Sequence, residues 1–331
     1  MENNEFSSPA QLMEMVNSFR MSRIILTADE LAIFDTIGAG GTSADSTATL
    51  RKTDPRATGR LMNALVSMGL LKKSGNLFFN TAFSGKFMVK SSPDYLGGLS
   101  LSNQTWKTWS TLTDAMRKGS TLIMETPINE RADGWKEAFI AAMHARGARQ
   151  AAETATALDL PATGRMLDVG GGSGTFAYAM IRKNPAIRAT IFDLPNILPI
   201  TEKYIRASGV SDKVDTLAGD YLRDSFGGPY DLVLMSAIIH INSPEENRLL
   251  LAKGATALNA GGQLVVIDHV MNDDRTEPLA GTVFALNMLV GTLRGDTYTQ
   301  KEITGWMEEA GLTGIHLRNT PSGVQMMVGR K

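Results

Sequence analysis

Residues Arg165-Met166-Leu167-Asp168-Val169-Gly170-Gly171-Gly172-Ser173-Gly174 decide the fold of this chain. The stretch begins as a short apolar run and ends in glycines at alternate positions, 170, 172 and 174. A helical pattern then opens at once through Phe176, Ala177, Met180 and Ile181. Strand, glycine turn and helix in that order make a nucleotide-type site, because glycine lets the backbone bend sharply and approach a ligand with no β-carbon in the way. The next apolar run, Ala189-Thr190-Ile191-Phe192, closes on Asp193-Leu194-Pro195, with Asp193 lying 19 residues after Gly174. An acidic side chain at about that distance is placed to accept hydrogen bonds from ribose hydroxyls.

The spacing also separates two ligands. Dinucleotide sites favour G-x-G-x-x-G, in which the last glycine seats the helix under a pyrophosphate. Asp168 to Gly174 instead read D-x-G-x-G-x-G, the usual form for S-adenosylmethionine, which carries no phosphate. An adenosyl cofactor is therefore the expectation.

Outward from this motif, apolar strand candidates alternate with helical patterns. The strands fall near 165–169, 189–193, 214–218, 231–236 and 263–268, which predicts a doubly wound α/β domain with a parallel sheet covered on both faces. Thr313–Asn319 and Gly323–Gly329 flank Thr320-Pro321-Ser322 and read as a terminal antiparallel hairpin. Sheets of this kind bind ligands beyond the carboxyl ends of their strands, where Asp168, Asp193, Asp220, Ser236 and Asp268 all fall.

Upstream, a helical connector over 101–158 carries Trp106, Trp109, Trp135, Phe139 and Met143, and residues 1–100 form a mainly helical first domain ahead of a 159–331 binding domain. Helical patterns run through about 9–22 and 27–37 until Gly38-Ala39-Gly40-Gly41 breaks the chain. A unit at 43–90 follows, with one short helix ending near Lys52. A second starts at Asp54-Pro55, shows an apolar face through Leu61, Ala64, Leu65 and Met68, and stops at Gly69. Two strand-like runs, Leu70–Lys73 and Asn76–Asn80, flank Ser74-Gly75 and complete a winged-helix layout.

Composition narrows the function. With 331 residues, 43% hydrophobic content and a net charge of −1, the chain reads as an ordinary globular protein of two domains. It has no apolar run of membrane-spanning length, and its polar, acidic start, Met1-Glu2-Asn3-Asn4-Glu5, is unlike a secretory signal. The absence of cysteine excludes disulfides and thiolate chemistry, and the histidines His144, His240, His269 and His316 show no metal-ligand spacing. A metal-independent cytoplasmic protein is expected. The winged unit has eight basic residues against two acidic ones, as a DNA-binding module would, but the chain as a whole is slightly acidic. A packing role is the favoured expectation for that unit, and nucleic acid is not the expected partner.

These features together resemble the S-adenosylmethionine-dependent O-methyltransferases of the plant caffeate and acetylserotonin type, and their bacterial relatives. The resemblance spans nearly the whole chain. It runs through Thr53-Asp54-Pro55-Arg56, Met68-Gly69-Leu70-Leu71, Asp168–Gly174, Phe192–Pro195, Gly219-Asp220-Tyr221, Ala260–Asp268 and Glu309-Ala310-Gly311-Leu312. It implies a class I methyltransferase domain with a seven-stranded sheet, and an N-terminal winged-helix module that dimerises the protein and helps close the substrate site. By position, Gly170, Gly172 and Leu194 would line the cofactor, Asp193 would bind its ribose, Asp220 its adenine amine, and Tyr221 would pack on the adenine. His240 stands at the catalytic base and Asp268 at the first acidic partner, where plant members have glutamate. Phe139, Met143, Asn287 and Met288 stand where the family builds its acceptor pocket. Flexible thioethers suit a flat, apolar hydroxyl compound, aromatic or polyketide-like.

Three positions depart from the family. Its His-Asp-Trp becomes His240-Ile241-Asn242, its second acidic partner becomes Thr297 with Asp296 beside it, and its cofactor lysine becomes Ser236. A His240–Asp268 pair is therefore expected rather than a triad. The departures leave open a relative that uses the same cofactor for decarboxylation, hydroxylation or a pericyclic step, and the basic winged unit leaves open a DNA-binding regulator that senses a metabolite.

Overall fold

The computed structural model describes residues 5–96, 99–123 and 132–331. Residues 124–131 of the expected connector lie outside that set, as do the first four residues. The chain divides between Gln104 and Thr105 into two units.

The first unit opens with α1 (Pro9–Asn17) and α2 (Phe19–Glu30). The break falls at Ser18, earlier than the apolar pattern predicts, where the hydroxyl donates to the Met15 carbonyl at 2.7 Å. Such bonding back to the preceding turn competes with helix continuation. The helix expected over 27–37 ends at Glu30, because Ala32 adopts φ 48° and only a short 3-10 turn, Phe34–Thr36, follows. Then come β1 (Thr42–Ser43), α3 (Ala44–Arg51), α4 (Pro55–Ser67), β2 (Leu71–Ser74), β3 (Leu77–Asn80), α5 (Ala82–Phe87) and α6 (Leu99–Trp109). The local chemistry accounts for the boundaries. Lys52 leaves α3 in the left-handed region at φ 55°. Asp54 caps α4 by accepting from Ala57 N at 2.8 Å, with Pro55 at the first helical position. The three short strands pair in the order β1-β3-β2, a winged-helix layout over a core of Ile33, Phe34, Met62, Leu65 and Phe78.

The second unit takes in α7 (Leu112–Lys118) and α8 (Asp133–Ala157), then β4 (Gly164–Val169), α9 (Thr175–Lys183), β5 (Ile187–Asp193), α10 (Leu198–Ala207), β6 (Val214–Ala218) and β7 (Tyr230–Ser236). It continues through α11 (Pro244–Thr256), β8 (Leu258–Ile267), β9 (Val270–Met271), α12 (Leu279–Gly291), β10 (Tyr298–Thr299), α13 (Gln300–Glu309), β11 (Thr313–Asn319) and β12 (Gln325–Arg330). Seven strands form one sheet in the order β11-β12-β8-β7-β4-β5-β6. The pairs from β8 to β6 are parallel, and β11 and β12 are the antiparallel terminal hairpin. This is the class I methyltransferase fold. Both faces are covered: Leu167, Val169, Val233, Met235 and Val266 pack into one buried layer, and Met166, Ile191, Leu232, Leu234 and Val265 into the other. Alternate residues of each strand thus feed opposite layers, as period-2 geometry requires.

The order also locates the site. From β4 the chain moves outward through β5 to β6, then returns to build β7 and β8 on the other side. The crevice at the carboxyl ends of β4 and β7 is the switch point where such sheets bind ligands. Among the described residues no helix is long and apolar enough to cross a membrane.

Candidate active site

The glycine turn after β4 takes the shape its spacing predicts. Gly170, Gly172 and Gly174 adopt φ 63°, 53° and 75°, a left-handed region costly for residues with a β-carbon. At Gly170 a β-carbon would come within 2.7 Å of Ile238 Cδ1, so the turn lies against the segment that leaves β7. The Gly170 N–H donates to the Phe192 carbonyl at 2.7 Å, and the Gly172 N–H donates to Asp193 Oδ2 at 2.8 Å. The other Asp193 oxygen accepts from Leu194 N at 2.8 Å. Gly170, Gly172, Asp193 and Leu194, named separately from the sequence, are thus one hydrogen-bonded group.

Beneath the turn lies Asp168, 1% exposed, whose Oδ2 has no hydrogen-bond partner. Burial pushes its carboxyl up to about 7; a hydrogen bond from the Ala177 backbone opposes the rise and the charge of Asp193 adds to it. Burial also raises Asp193, to about 6, against the two backbone N–H groups that favour its charged form. A buried acid with an unused oxygen, a second acid beside it and no lysine or arginine in residues 168–175 suit a cationic ligand better than a phosphate. The sulfonium and ammonium of the expected cofactor fit that donor set.

At the expected adenine position, Asp220 uses Oδ1 to accept from Leu222 N at 2.9 Å, and its own N–H donates to Asp224 Oδ2 at 2.8 Å. It therefore shapes a turn whatever else it binds. Tyr221 directs its hydroxyl to Asn242 Oδ1 at 3.0 Å. Ser236 ends β7 opposite Ile267. The next residue, Ala237, is held at φ 56°, a strained conformation for a residue with a β-carbon, where the chain turns toward His240.

His240 sits on a single 3-10 turn, Ile239–Ile241. Its Nδ1 lies 2.9 Å from both oxygens of Asp268, which follows β8 and has a side chain 2% exposed. A carboxylate accepts, so Nδ1–H donates and Nε2 carries the lone pair. The Phe284 ring from α12 meets the imidazole edge-on with centroids 4.9 Å apart. The His240 carbonyl accepts from Asp296 N at 3.0 Å.

That last contact involves the expected second acidic position. Asp296 offers His240 its backbone, while its carboxylate accepts from Thr297 N at 2.8 Å and pairs with Arg275 at 3.3 Å. Arg275 Nη2 also donates to both carboxylate oxygens of Glu302, at 2.6 and 2.7 Å. Asp268 is the carboxylate on the imidazole.

The expected acceptor residues fall in two groups. Phe139 stacks on Trp135 at 5.1 Å and packs on Ile140, Ile197 and Ile200, while Ile140 reaches Gly172. Met143, half-buried, is one helical turn further along α8. On α12, Asn287 and buried Met288 lie one turn beyond Phe284, and Asn287 Oδ1 accepts from Trp109 Nε1 at 2.8 Å. The first group thus adjoins the cofactor turn, and the second follows Phe284, which touches His240.

Two histidines carry more than the sequence predicts. His144 Nδ1 lies 3.1 Å from Ser173 Oγ and 2.9 Å from Thr175 Oγ1, which fastens α8 to the end of the glycine turn. Burial, and then the charge of Arg182, lower its pKa, so it stays neutral at physiological pH. His269 also packs on Phe284, with ring centroids 4.4 Å apart. The regular i, i+4 relation of Ile140 to His144 is a signal that could have found the first; the second required the fold. A cavity of 410 Å³ lined by His144, Tyr178, Arg182 and Tyr204 includes none of the expected site residues.

Comparison with known proteins identifies the family. The family described as O-methyltransferase domain matches residues 109–313, and that described as O-methyltransferase dimerisation domain matches 13–90. The 3-hydroxy-5-methyl-1-naphthoate 3-O-methyltransferase of Streptomyces sahachiroi is 29% identical over 93% of this chain and 90% of its own. The tetracenomycin polyketide synthesis 8-O-methyl transferase of Streptomyces glaucescens is 27% identical over 98% of this chain and 97% of its own. Among solved structures, an O-methyltransferase family protein from Burkholderia thailandensis superposes with a TM-score of 0.88 at 25% identity, covering 99% of both chains.

Proposed function

Since the chain belongs to the S-adenosylmethionine-dependent O-methyltransferases, we propose that it methylates a hydroxyl on a small aromatic or polyketide-like acceptor, with His240 as the general base. The observation that carries this reading is the His240–Asp268 pair, which leaves Nε2 as the open basic atom beside the crevice. A phenol, with a pKa of about 10, is mostly protonated at neutral pH and a poor nucleophile. His240 Nε2 takes its proton as the oxygen attacks, and Asp268 stabilises the imidazolium that forms. When bound, the cofactor supplies an electrophilic methyl on a sulfonium, whose sulfur keeps the bonding pair as the methyl passes to oxygen. The glycine turn, Asp193 and Leu194 would hold the cofactor, Asp168 would place negative charge near its cation, and Tyr221 would pack on its adenine. Phe139 and Met143, with Asn287 and Met288, would orient the acceptor for in-line attack.

The same reading makes residues 1–100 a dimerisation module, 101–158 a connector and 159–331 the catalytic domain of a cytoplasmic homodimer. Non-methylating chemistry at the cofactor site is not favoured by the relatives. A dimerisation role for the winged unit likewise leaves its basic residues as a solvated surface.

The test is transfer of labelled methyl from S-adenosylmethionine to a panel of phenols, catechols, naphthols, flavonoids and aromatic polyketides. Stoichiometric S-adenosylhomocysteine and one methylated acceptor class are the expected result. Cofactor turnover without any methylated acceptor would overturn it.

Acidity at the cofactor turn adds a pH dependence. Asp168 and Asp193 have folded-state values raised above 3.8, so the folded protein binds more protons than the unfolded chain between about 4 and about 7. These groups favour the cofactor-free fold as pH falls through that window, and ionising them costs stability as pH rises. A bound cation reverses the preference by favouring the charged forms. Cofactor affinity measured by calorimetry should therefore fall about tenfold or more from pH 8 to pH 5.5, and the fall should shrink in Asp168→Asn. An unchanged affinity across that range would remove both carboxylates from the account.

A further inference from the structure

A 3-10 turn of three residues has few hydrogen bonds of its own, so the aim of His240 depends on what surrounds Ile239–Ile241. Two buried asparagines surround it. Asn242, 3% exposed, ends the turn, and Asn247, fully buried, comes from the first turns of α11. The Tyr221 hydroxyl donates to Asn242 Oδ1 at 3.0 Å. Asn242 Nδ2 donates to Asn247 Oδ1 at 3.2 Å, and Asn247 Nδ2 donates to the Ile239 carbonyl at 2.9 Å. The Tyr298 hydroxyl closes the cluster by donating to the Asn242 carbonyl. Both ends of both amides are therefore engaged. Buried amides are costly unless so satisfied, and a fully connected cluster of this kind fixes one arrangement of the backbone it holds.

The cluster has two ends: one on the carbonyl next to His240, the other on Tyr221 beside the expected adenine position. We infer that Asn242 is a positioning residue for His240, and that the Tyr221–Asn242 hydrogen bond ties the aim of the base to the adenine-side loop. The inference rests on the reading of His240 as the base. It gives a physical use to the Asn242 position, one of the three places where this chain departs from the family it resembles.

The test uses the full-length protein with Asn242→Ala, Tyr221→Phe and the double variant. Tyr221→Phe keeps the ring for stacking and removes only the hydroxyl. Expected are a kcat lower by about 10- to 100-fold in Asn242→Ala and by about 3- to 10-fold in Tyr221→Phe, with cofactor Kd within about threefold. The two losses should not multiply, since they remove one connection. A second readout needs no turnover: the chain has only four histidines, so the His240 ring resonance can be assigned in cofactor-free protein by its disappearance in His240→Gln. It should broaden or split in both single variants. Should Asn242→Ala fail to fold, Tyr221→Phe decides alone, and an unchanged kcat with an unchanged His240 resonance overturns the proposal. Losses that multiply overturn it too. If His240→Gln itself retains full activity, the base assignment falls, whereas the resonance still reports whether the asparagines hold the ring.

Discussion

Replacing His240 with alanine should lower kcat by about 10²- to 10⁴-fold while leaving cofactor affinity nearly unchanged. The split follows from where the ring is attached. Its Nδ1 is bound to Asp268 and its ring packs against Phe284, while the cofactor turn is held by Gly170 on the Phe192 carbonyl and Gly172 on Asp193. Removing the imidazole takes away the proton acceptor without touching those bonds. The size of the loss should track acceptor acidity. An acceptor that ionises near neutral pH supplies its own anion and loses little, whereas an ordinary phenol with a pKa of about 10 loses the full factor. Measurement of kcat across a series of acceptors with graded hydroxyl pKa, for wild type and His240→Ala, checks this directly. Equal losses for acidic and ordinary phenols would mean that the ring acts by shape alone. A modest fall in Tm is also expected, since the variant leaves space against Phe284.

What the sequence disclosed depended on how local each constraint is. The strand, turn and helix around Asp168–Gly174 were legible because three alternate glycines are needed where φ is positive, a requirement each position carries in its own backbone. Asp54-Pro55 marked a helix start for the same reason: the cap and the proline act within one turn. The break at Ser18 was not legible, because an apolar pattern runs through it and a single back-bonded hydroxyl decides the matter. β8 begins at Leu258, well before the apolar run at Leu264, because its first residues pair with Tyr230 and the chain passes through the irregular register at Tyr230/Leu232. In the site, His240 and Asp268 were readable by resemblance. The capture of Asp296 by Arg275, the anchoring of Ser173 and Thr175 by His144, and the asparagine cluster were not. The first two join residues far apart in the chain, as do the links from Tyr221 and Tyr298 to Asn242, through side chains whose directions only the assembled fold sets.

Asp268→Asn should lower kcat by an amount on the order of 10²- to 10⁴-fold while barely changing Tm. The substitution preserves shape at a site whose side chain is 2% exposed, and it removes a buried charge, so the fold has little reason to weaken. The chemistry has a strong reason to. Both Asp268 oxygens lie 2.9 Å from His240 Nδ1, and Oδ1 also accepts from His269 N at 2.8 Å. The backbone N–H of His269 favours the amide oxygen at Oδ1, which leaves the amide NH₂ at the other position facing the imidazole. A donor there favours the tautomer with its proton on Nε2, the atom that must be free to take the proton from the acceptor. The imidazolium also loses the opposite charge that stabilises it as the proton arrives. Because base and carboxylate act as one unit, the double variant with His240→Ala should be no slower than His240→Ala alone. Rates for the four proteins, taken on an acceptor with an ordinary phenol pKa, decide the point. Losses that multiply would mean that Asp268 serves the reaction by a route other than through His240, for example by contact with the acceptor itself.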